Sequence, residues 1–257
     1  MDRPLLPTAS DSRERPVLAA ILANRHSITL GIIFAAHLLS VPLDEGRGAL
    51  FGPMLLLVLY MAGFLLLGQR NALSVCILIA GSLALAGAVA NFLGESPTLL
   101  CMTLVCSSVF DLLLIVFMLA WLFKQRKLPF DNIMAGIIVF MFMAALWAEL
   151  YALVCLASPG AVQGPGGGLG PHPSVTLYYF SVATLTTAGF GDVVPVSDMA
   201  RMLAAYEALI GQVYLVVFIA LLMGRHFAAR AAAPPVAAPG KAAPGAVTPP
   251  AAGQQKP

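Results

Sequence analysis

The stretch Thr184-Leu185-Thr186-Thr187-Ala188-Gly189-Phe190-Gly191-Asp192 decides how the rest of the sequence is interpreted. Its two glycines alternate with other residues in an apolar setting. Glycine adopts positive φ without a steric clash, so such a strand can turn successive carbonyl groups to the same side. A row of inward-facing carbonyls can replace the water shell of a cation. The stretch therefore predicts a main-chain cation site, with threonine hydroxyls at its start and Asp192 where the strand re-emerges into water.

The composition indicates a membrane protein. Apolar residues make up 60% of the 257 residues and charged residues only 10%, whereas soluble domains are about 45–50% apolar and about 25% charged. A single water-soluble globule and a disordered chain are both excluded. The net charge of +2 gives no reason to expect nucleic-acid binding. The four cysteines lie in apolar runs without disulfide or zinc spacing, and they are interpreted as buried apolar residues: Cys76, Cys101, Cys106 and Cys155.

Six apolar stretches approach the length of about 20 residues that a membrane-spanning helix requires. They lie at 27–43, 49–67, 72–93, 98–123, 130–157 and 199–224. The first is the weakest, since it is short and contains His37 and Pro42. A cleaved signal peptide over 1–43 is the alternative, against which the acidic, proline-containing start argues. The sequence predicts an all-α, multi-pass protein of a plasma or inner membrane.

The positive charges predict the orientation of these spans. If the N-terminus is cytoplasmic and each span crosses once, only Arg47 and Arg201 of the 14 Lys and Arg residues lie outside, which leaves twelve inside. An even number of spans returns the C-terminus to the cytoplasm as well.

The segment between the last two spans, 158–198, divides into two parts. Residues 158–173 are rich in Gly and Pro and are expected to form a flexible loop. Residues 174–185 are apolar but too few to span, which favours a re-entrant helix. Beyond the last span, 231–257 consists mostly of Ala, Pro and Gly and is expected to be a disordered cytoplasmic tail.

With its flanks, the quoted stretch resembles the potassium-channel signature T-x-x-T-x-G-[YF]-G-D, and Pro195 continues the likeness. The resemblance covers about 174–224, and the fifth span by position only. It implies a division into four parts, with a pore helix at 174–186, a selectivity filter at 187–191 and an inner helix at 199–224. The parts are a cytoplasmic segment 1–26, a four-helix domain 27–123, a pore domain 124–230 and the tail 231–257.

The resemblance also implies roles for individual residues. Thr187 would form the innermost K⁺ site with its hydroxyl and carbonyl, and the carbonyls of Ala188, Gly189, Phe190 and Gly191 would form the sites above. No other cofactor is implied. Each chain supplies one filter strand, so the family's pore implies a homotetramer in the lipid bilayer.

Several positions near the filter differ from the family's commonest residues or are assigned by the family's pattern. Phe190 stands where tyrosine is commoner, and Ala188 where valine or isoleucine is usual. Thr186 and Asp192 flank the filter, and Asp192 needs another partner because Ala183 replaces a glutamate found in some members. Gly211 occupies the position of a gating hinge in many members.

The first four spans lack the features of a voltage sensor. The fourth, 98–123, contains no Lys or Arg, so steep voltage dependence is not expected. Asp111 in this span is interpreted either as a neutral or paired packing residue or as a sensing or proton-linked site. Glu149, Glu207 and His37 are expected to be structural, with a pH-sensing role open for His37.

The leading hypothesis is a passive potassium-selective channel, and the first alternative is a channel that discriminates poorly between K⁺ and Na⁺. An enzyme is not expected, because the sequence lacks the motifs H-E-x-x-H and G-x-S-x-G. A carrier usually shows broken helices in both halves of the chain, and only one half has such an element here. A non-conducting subunit would have no need of both filter glycines.

Overall fold

The computed structural model describes residues 26–33, 35, 57–58, 72–94, 96–125, 130–170 and 173–231. Five helices and two short strands have defined bounds in these ranges. In chain order they are α1 (Ala72–Leu93), α2 (Pro97–Lys124), α3 (Phe130–Ala157), β1 (Val162–Gln163), α4 (Pro173–Leu185), β2 (Val194–Pro195) and α5 (Asp198–Ala231). Residues 26–33 are also helical.

Four of these helices, α1, α2, α3 and α5, are long and apolar enough to cross a membrane. They coincide with four of the six predicted spans. The helix α5 continues seven residues past the predicted end at 224, to Ala231. The predicted spans at 27–43 and 49–67, with His37, lie mostly outside the described residues, as do the segment 1–25 and the tail from 232.

The helices α1 and α2 form an antiparallel pair, because only residues 94–96 connect them. Pro97 begins α2 at a position where its missing N–H has no helical partner to lose. Each helix packs on the next in the sequence, and α5 also packs on α3. The buried core lies along α2, α3 and α4 and includes Phe110, Phe142, Tyr151 and Leu177.

The two strands form a small antiparallel sheet in which Val162 pairs with Pro195 and Gln163 with Val194. The sheet joins the two ends of the connection between α3 and α5. The Ala161 carbonyl adds to it by accepting hydrogen bonds from the backbone N–H groups of Val196 (2.8 Å) and Ser197 (3.2 Å). Part of the predicted flexible loop at 158–173 is therefore a paired strand, and this sheet fixes where the chain leaves and re-enters the helical core.

Candidate functional site

The short helix α4 ends at Leu185, within the quoted stretch, and the chain then folds back on the last turn of the helix. The backbone N–H of Thr186 donates to the Val182 carbonyl (3.0 Å), that of Thr187 to Thr184 (2.9 Å) and that of Gly189 to Ala183 (3.1 Å). These bonds satisfy carbonyls that a helix C-terminus leaves unpaired. They also fix the start of the 187–191 segment relative to α4.

The backbone of the 187–191 segment alternates in the sign of φ. Thr187 (φ 58°), Gly189 (φ 54°) and Gly191 (φ 79°) are left-handed, whereas Ala188 and Phe190 are not. In an ordinary strand successive carbonyls point in opposite directions. Placing every second residue in the left-handed region reverses this alternation and favours carbonyls along one side. Positive φ at both filter glycines is the backbone feature that the sequence predicts for this segment.

Thr187 is a β-branched residue in a region that such residues rarely adopt. From the sequence, positive φ is expected at the glycines alone. The structure shows it at Thr187 as well. Two hydrogen bonds hold its hydroxyl group: Thr187 Oγ1 donates to the Thr186 carbonyl (2.7 Å) and accepts from Gln212 Nε2 of α5 (3.0 Å). The sequence gives no signal for the role of Gln212.

Tyr179 of α4 braces the outer end of the segment. Its ring stacks on Phe190, with ring centroids 5.8 Å apart and an interplanar angle of 11°. Its hydroxyl lies 3.1 Å and 3.0 Å from the two carboxylate oxygens of Asp192, to which it donates. Tyr179 is therefore the hydrogen-bond partner of Asp192, in place of the glutamate that some family members have at the position of Ala183. The neighbouring Tyr178 packs against the buried core.

The helix α5 approaches the base of the segment at Gly211. A Cβ atom on this glycine would overlap the Leu185 carbonyl oxygen at the end of α4. The absence of a side chain therefore allows α5 to contact α4 directly. Gly211 lies within a continuous helix, so its expected role as a hinge stays a prediction.

A buried polar network joins α3, α4 and α5 beneath the segment. The Glu207 side chain is fully buried. Its Oε2 accepts a hydrogen bond from the Tyr151 hydroxyl (2.7 Å), and its Oε1 lies 2.5 Å from the Ser181 hydroxyl. That hydroxyl is also 2.8 Å from the Ala144 carbonyl oxygen of α3. Glu207 thus contacts α4 of its own chain, which agrees with a structural role.

Two further carboxyl groups lie away from the segment, between α2 and α3. Asp111 is fully buried, and Glu149 lies beside Ser107 and Ser108 of α2 rather than along α4. Among the described residues, no group of three or more His, Cys, Asp and Glu side chains could hold a metal ion.

Comparison with known proteins agrees with this geometry. A family model described as an ion channel matches residues 173–226, a range that contains α4, the 187–191 segment and most of α5. Searches of curated proteins and of solved structures found no match. The matched region is thus similar to an ion-channel domain, and the four long apolar helices indicate a multi-pass membrane protein.

Proposed function

We propose that this protein is a potassium channel, in which four copies of the 187–191 segment surround an axis and conduct K⁺ passively. The single observation behind the proposal is the alternation of φ at Thr187, Gly189 and Gly191, in a stretch that carries the signature T-x-x-T-x-G-F-G-D. The match of residues 173–226 to an ion-channel family supports the channel function in general.

The chemistry of the segment favours a monovalent cation. No residue from Thr186 to Gly191 carries a formal charge, so carbonyl dipoles and the Thr187 hydroxyl would replace the water of the ion. The C-terminal end of α4 adds a partial negative charge of about half an electron nearby. Neutral oxygen ligands compensate for the dehydration of K⁺, yet hold the ion weakly enough for it to leave.

A closed ring of chains explains the surface that one chain leaves uncovered. Only 11% of the most apolar window of α5 is buried, against 44% for α3, and Phe190 is 71% exposed. Non-helical backbone at membrane depth is stable only when buried in protein or lining a watery cavity. Four chains that contact one another through α5 and the 187–191 segment would supply such a cavity.

A channel with little discrimination between K⁺ and Na⁺ is the second candidate. Ala188 is smaller than the valine or isoleucine usual at its position, and Phe190 lacks the hydroxyl of tyrosine. Packing behind the carbonyls is therefore looser, although Tyr179 braces Phe190 by stacking. A looser ring would hold its diameter less strictly and admit Na⁺.

Ion flux in liposomes containing the purified protein tests the proposal. We expect flux down a K⁺ gradient that greatly exceeds flux down an equal Na⁺ gradient. In Gly191→Ala this selectivity should be lost, because a Cβ opposes φ of 79° at a carbonyl that contacts the ion. Gly166→Ala is the matched control, since Gly166 also has positive φ (86°) but lies in the outer loop with no neighbour near its Cβ position.

The outcomes of this experiment separate the hypotheses. Equal K⁺ and Na⁺ flux in the unmodified protein would support the weakly selective channel. Saturable exchange without electrical current would indicate a carrier, and no flux would indicate a non-conducting subunit. Selective K⁺ flux in Gly191→Ala would contradict the assignment of the 187–191 segment.

A further inference from the structure

Asp111 is a buried carboxyl group with no hydrogen-bond partner. It lies halfway along α2, has no exposed surface, and neither of its carboxylate oxygens has a partner among the described residues. An ionised carboxylate without donors is among the most costly groups to bury in an apolar interior. Something must therefore neutralise Asp111.

Glu149 of α3 faces Asp111 from the neighbouring helix. The two carboxyl groups are close enough for their charges to interact. The hydroxyls of Ser107 and Ser108 lie beside the Glu149 carboxyl, but one of its oxygens, Oε2, is buried without a partner. The α2–α3 interface thus contains two acidic groups and too few donors for two negative charges.

No basic side chain neutralises the pair within the described helices. The helix α1 contains no acidic or basic residue, and Lys124 at the far end of α2 is the only base of α2 and α3. The His26 ring contacts the Trp121 ring at a tilt of 41°, and Trp121 lies about 15 Å along α2 from Asp111 at 1.5 Å per residue. The other titratable groups nearby are Cys106 of α2, Tyr151, which donates to Glu207, and Tyr178 of α4, which interacts with Asp111.

We propose that Asp111 and Glu149 form a proton-binding site between α2 and α3, which holds one proton. A proton on either carboxyl group removes one of two like charges. When the proton is lost, an O–H bond breaks and the proton passes to water. The pair then carries two negative charges, and α2 and α3 must separate or admit water.

The site also has a short route to the 187–191 segment. Tyr178, which interacts with Asp111, is the neighbour in α4 of Tyr179, which binds Asp192 and stacks on Phe190. A shift of α4 in response to repulsion at Asp111 would move both tyrosines. This consequence rests on the proposed channel function, whereas proton binding itself does not.

Infrared difference spectroscopy of the purified protein tests proton binding directly. The C=O stretch of a protonated carboxyl is separate from that of a carboxylate, so the unmodified protein at neutral pH should show a protonated band. The band should disappear on strong alkalinisation and be absent from the variant Asp111→Asn/Glu149→Gln, whose amides preserve the side-chain shapes. Glu207→Gln and the exposed Asp198→Asn are the controls, and in both the band of the pair should persist.

Two results would overturn the site: the absence of a protonated band from the unmodified protein, or a band unchanged in the double variant. If the double variant does not fold, the unmodified protein and Glu207→Gln test the site. A protonated band that is retained in Glu207→Gln and exchanges slowly into D₂O would report a buried protonated pair. No such band in Glu207→Gln would contradict the proposal.

Potassium flux across a pH series tests the consequence for the pore. We expect flux to change at least about fivefold between acidic and alkaline pH, the lower end of an ordinary coupling between two sites, and the double variant to lose this dependence. An equal pH dependence in the double variant would refute the link to the pore. Flux that is absent at every pH would contradict the proposed function. The infrared result would then decide separately whether the proton site exists.

Discussion

At the scale of single residues, the geometry around the 187–191 segment depends on two positions, Thr187 and Gly211, where the presence or absence of a Cβ is decisive. Thr187 retains a Cβ in the left-handed region, at a cost of about 1–3 kcal/mol, and hydrogen bonds from its hydroxyl to Thr186 and with Gln212 fix it there. Such strain is typical of positions held in place for function. Gly211 shows the opposite case, in which only a missing Cβ permits contact.

Gly211→Ala should lower the stability of the protein. The new Cβ overlaps the Leu185 carbonyl oxygen, and overpacking of this kind costs about 1–3 kcal/mol. Gly224→Ala in the same helix is the control, because nothing lies within 4 Å of its Cβ position. Alanine is the better helix former by about 1 kcal/mol, so Gly224→Ala should be neutral or stabilising. Thermal unfolding followed by circular dichroism measures both, and equal stabilisation would contradict the close α4–α5 contact.

At the scale of secondary-structure elements, α4 is held from two sides. Its central residue Tyr179 binds Asp192. Two residues later, Ser181 joins α4 to Glu207 of α5, which also binds Tyr151 of α3. A fully buried glutamate is stable only when its oxygens have donors. The network therefore fixes the height and rotation of α4, from which the 187–191 segment extends.

Tyr151→Phe should destabilise this arrangement by about 1–3 kcal/mol, because the buried Glu207 oxygen loses its donor. Ser181→Ala should act similarly, and the effects of the two changes should not add, since both groups contact one carboxyl. A double-mutant cycle of unfolding free energies measures this coupling. Tyr206→Phe, at an exposed tyrosine of α5, is the control, and additive effects of Tyr151→Phe and Ser181→Ala would argue against a shared network.

The sequence predicts the long helices well because each apolar run is bounded by charged or turn-forming residues. The bounds of α1 and α3 match the predicted 72–93 and 130–157. The predicted span 199–224 agrees with the apolar part of α5, Asp198–Arg225. The helix itself continues to Ala231, because alanine and arginine are good helix formers beyond the apolar run. Strands of two residues leave no periodic pattern, so β1 and β2 could not be predicted.

The pairs of side chains that contact each other at the site could not be predicted from the sequence, for a different reason. Tyr179 and Asp192, or Tyr151 and Glu207, lie 13 and 56 residues apart. Spacing along the chain does not show that they meet. The signature residues themselves were identifiable, because their pattern of glycines is local and reflects the backbone conformation that they adopt.

At the scale of the whole molecule, the spans contain almost no charge that a membrane potential could move. In α2 the only charged residues are Asp111 and Lys124, and the only Lys or Arg in the other predicted spans is Arg201, near the start of 199–224. One elementary charge that crosses the whole field gains about 2.3 kcal/mol per 100 mV. The front helices are therefore poorly suited to sense voltage.

The open probability of the channel should accordingly depend on voltage less steeply than it would if one charge per chain crossed the whole membrane field. Single-channel recording in planar bilayers at a range of potentials measures the open probability. Asp111→Asn should leave this dependence shallow, since a pair that holds one proton carries no more than one charge. A steep curve that requires several charges per chain would contradict this prediction.

In the proposed channel, four 187–191 segments place main-chain oxygens around K⁺ on a common axis. A density map of the purified protein with Tl⁺ in place of K⁺ tests it most directly, because thallium is electron-dense and close to K⁺ in size. We expect fourfold symmetry, with a row of Tl⁺ peaks on the axis beside the carbonyls of Thr187, Ala188, Gly189 and Phe190. A segment that faces lipid, an assembly without fourfold symmetry, or an axis without ion density would contradict it.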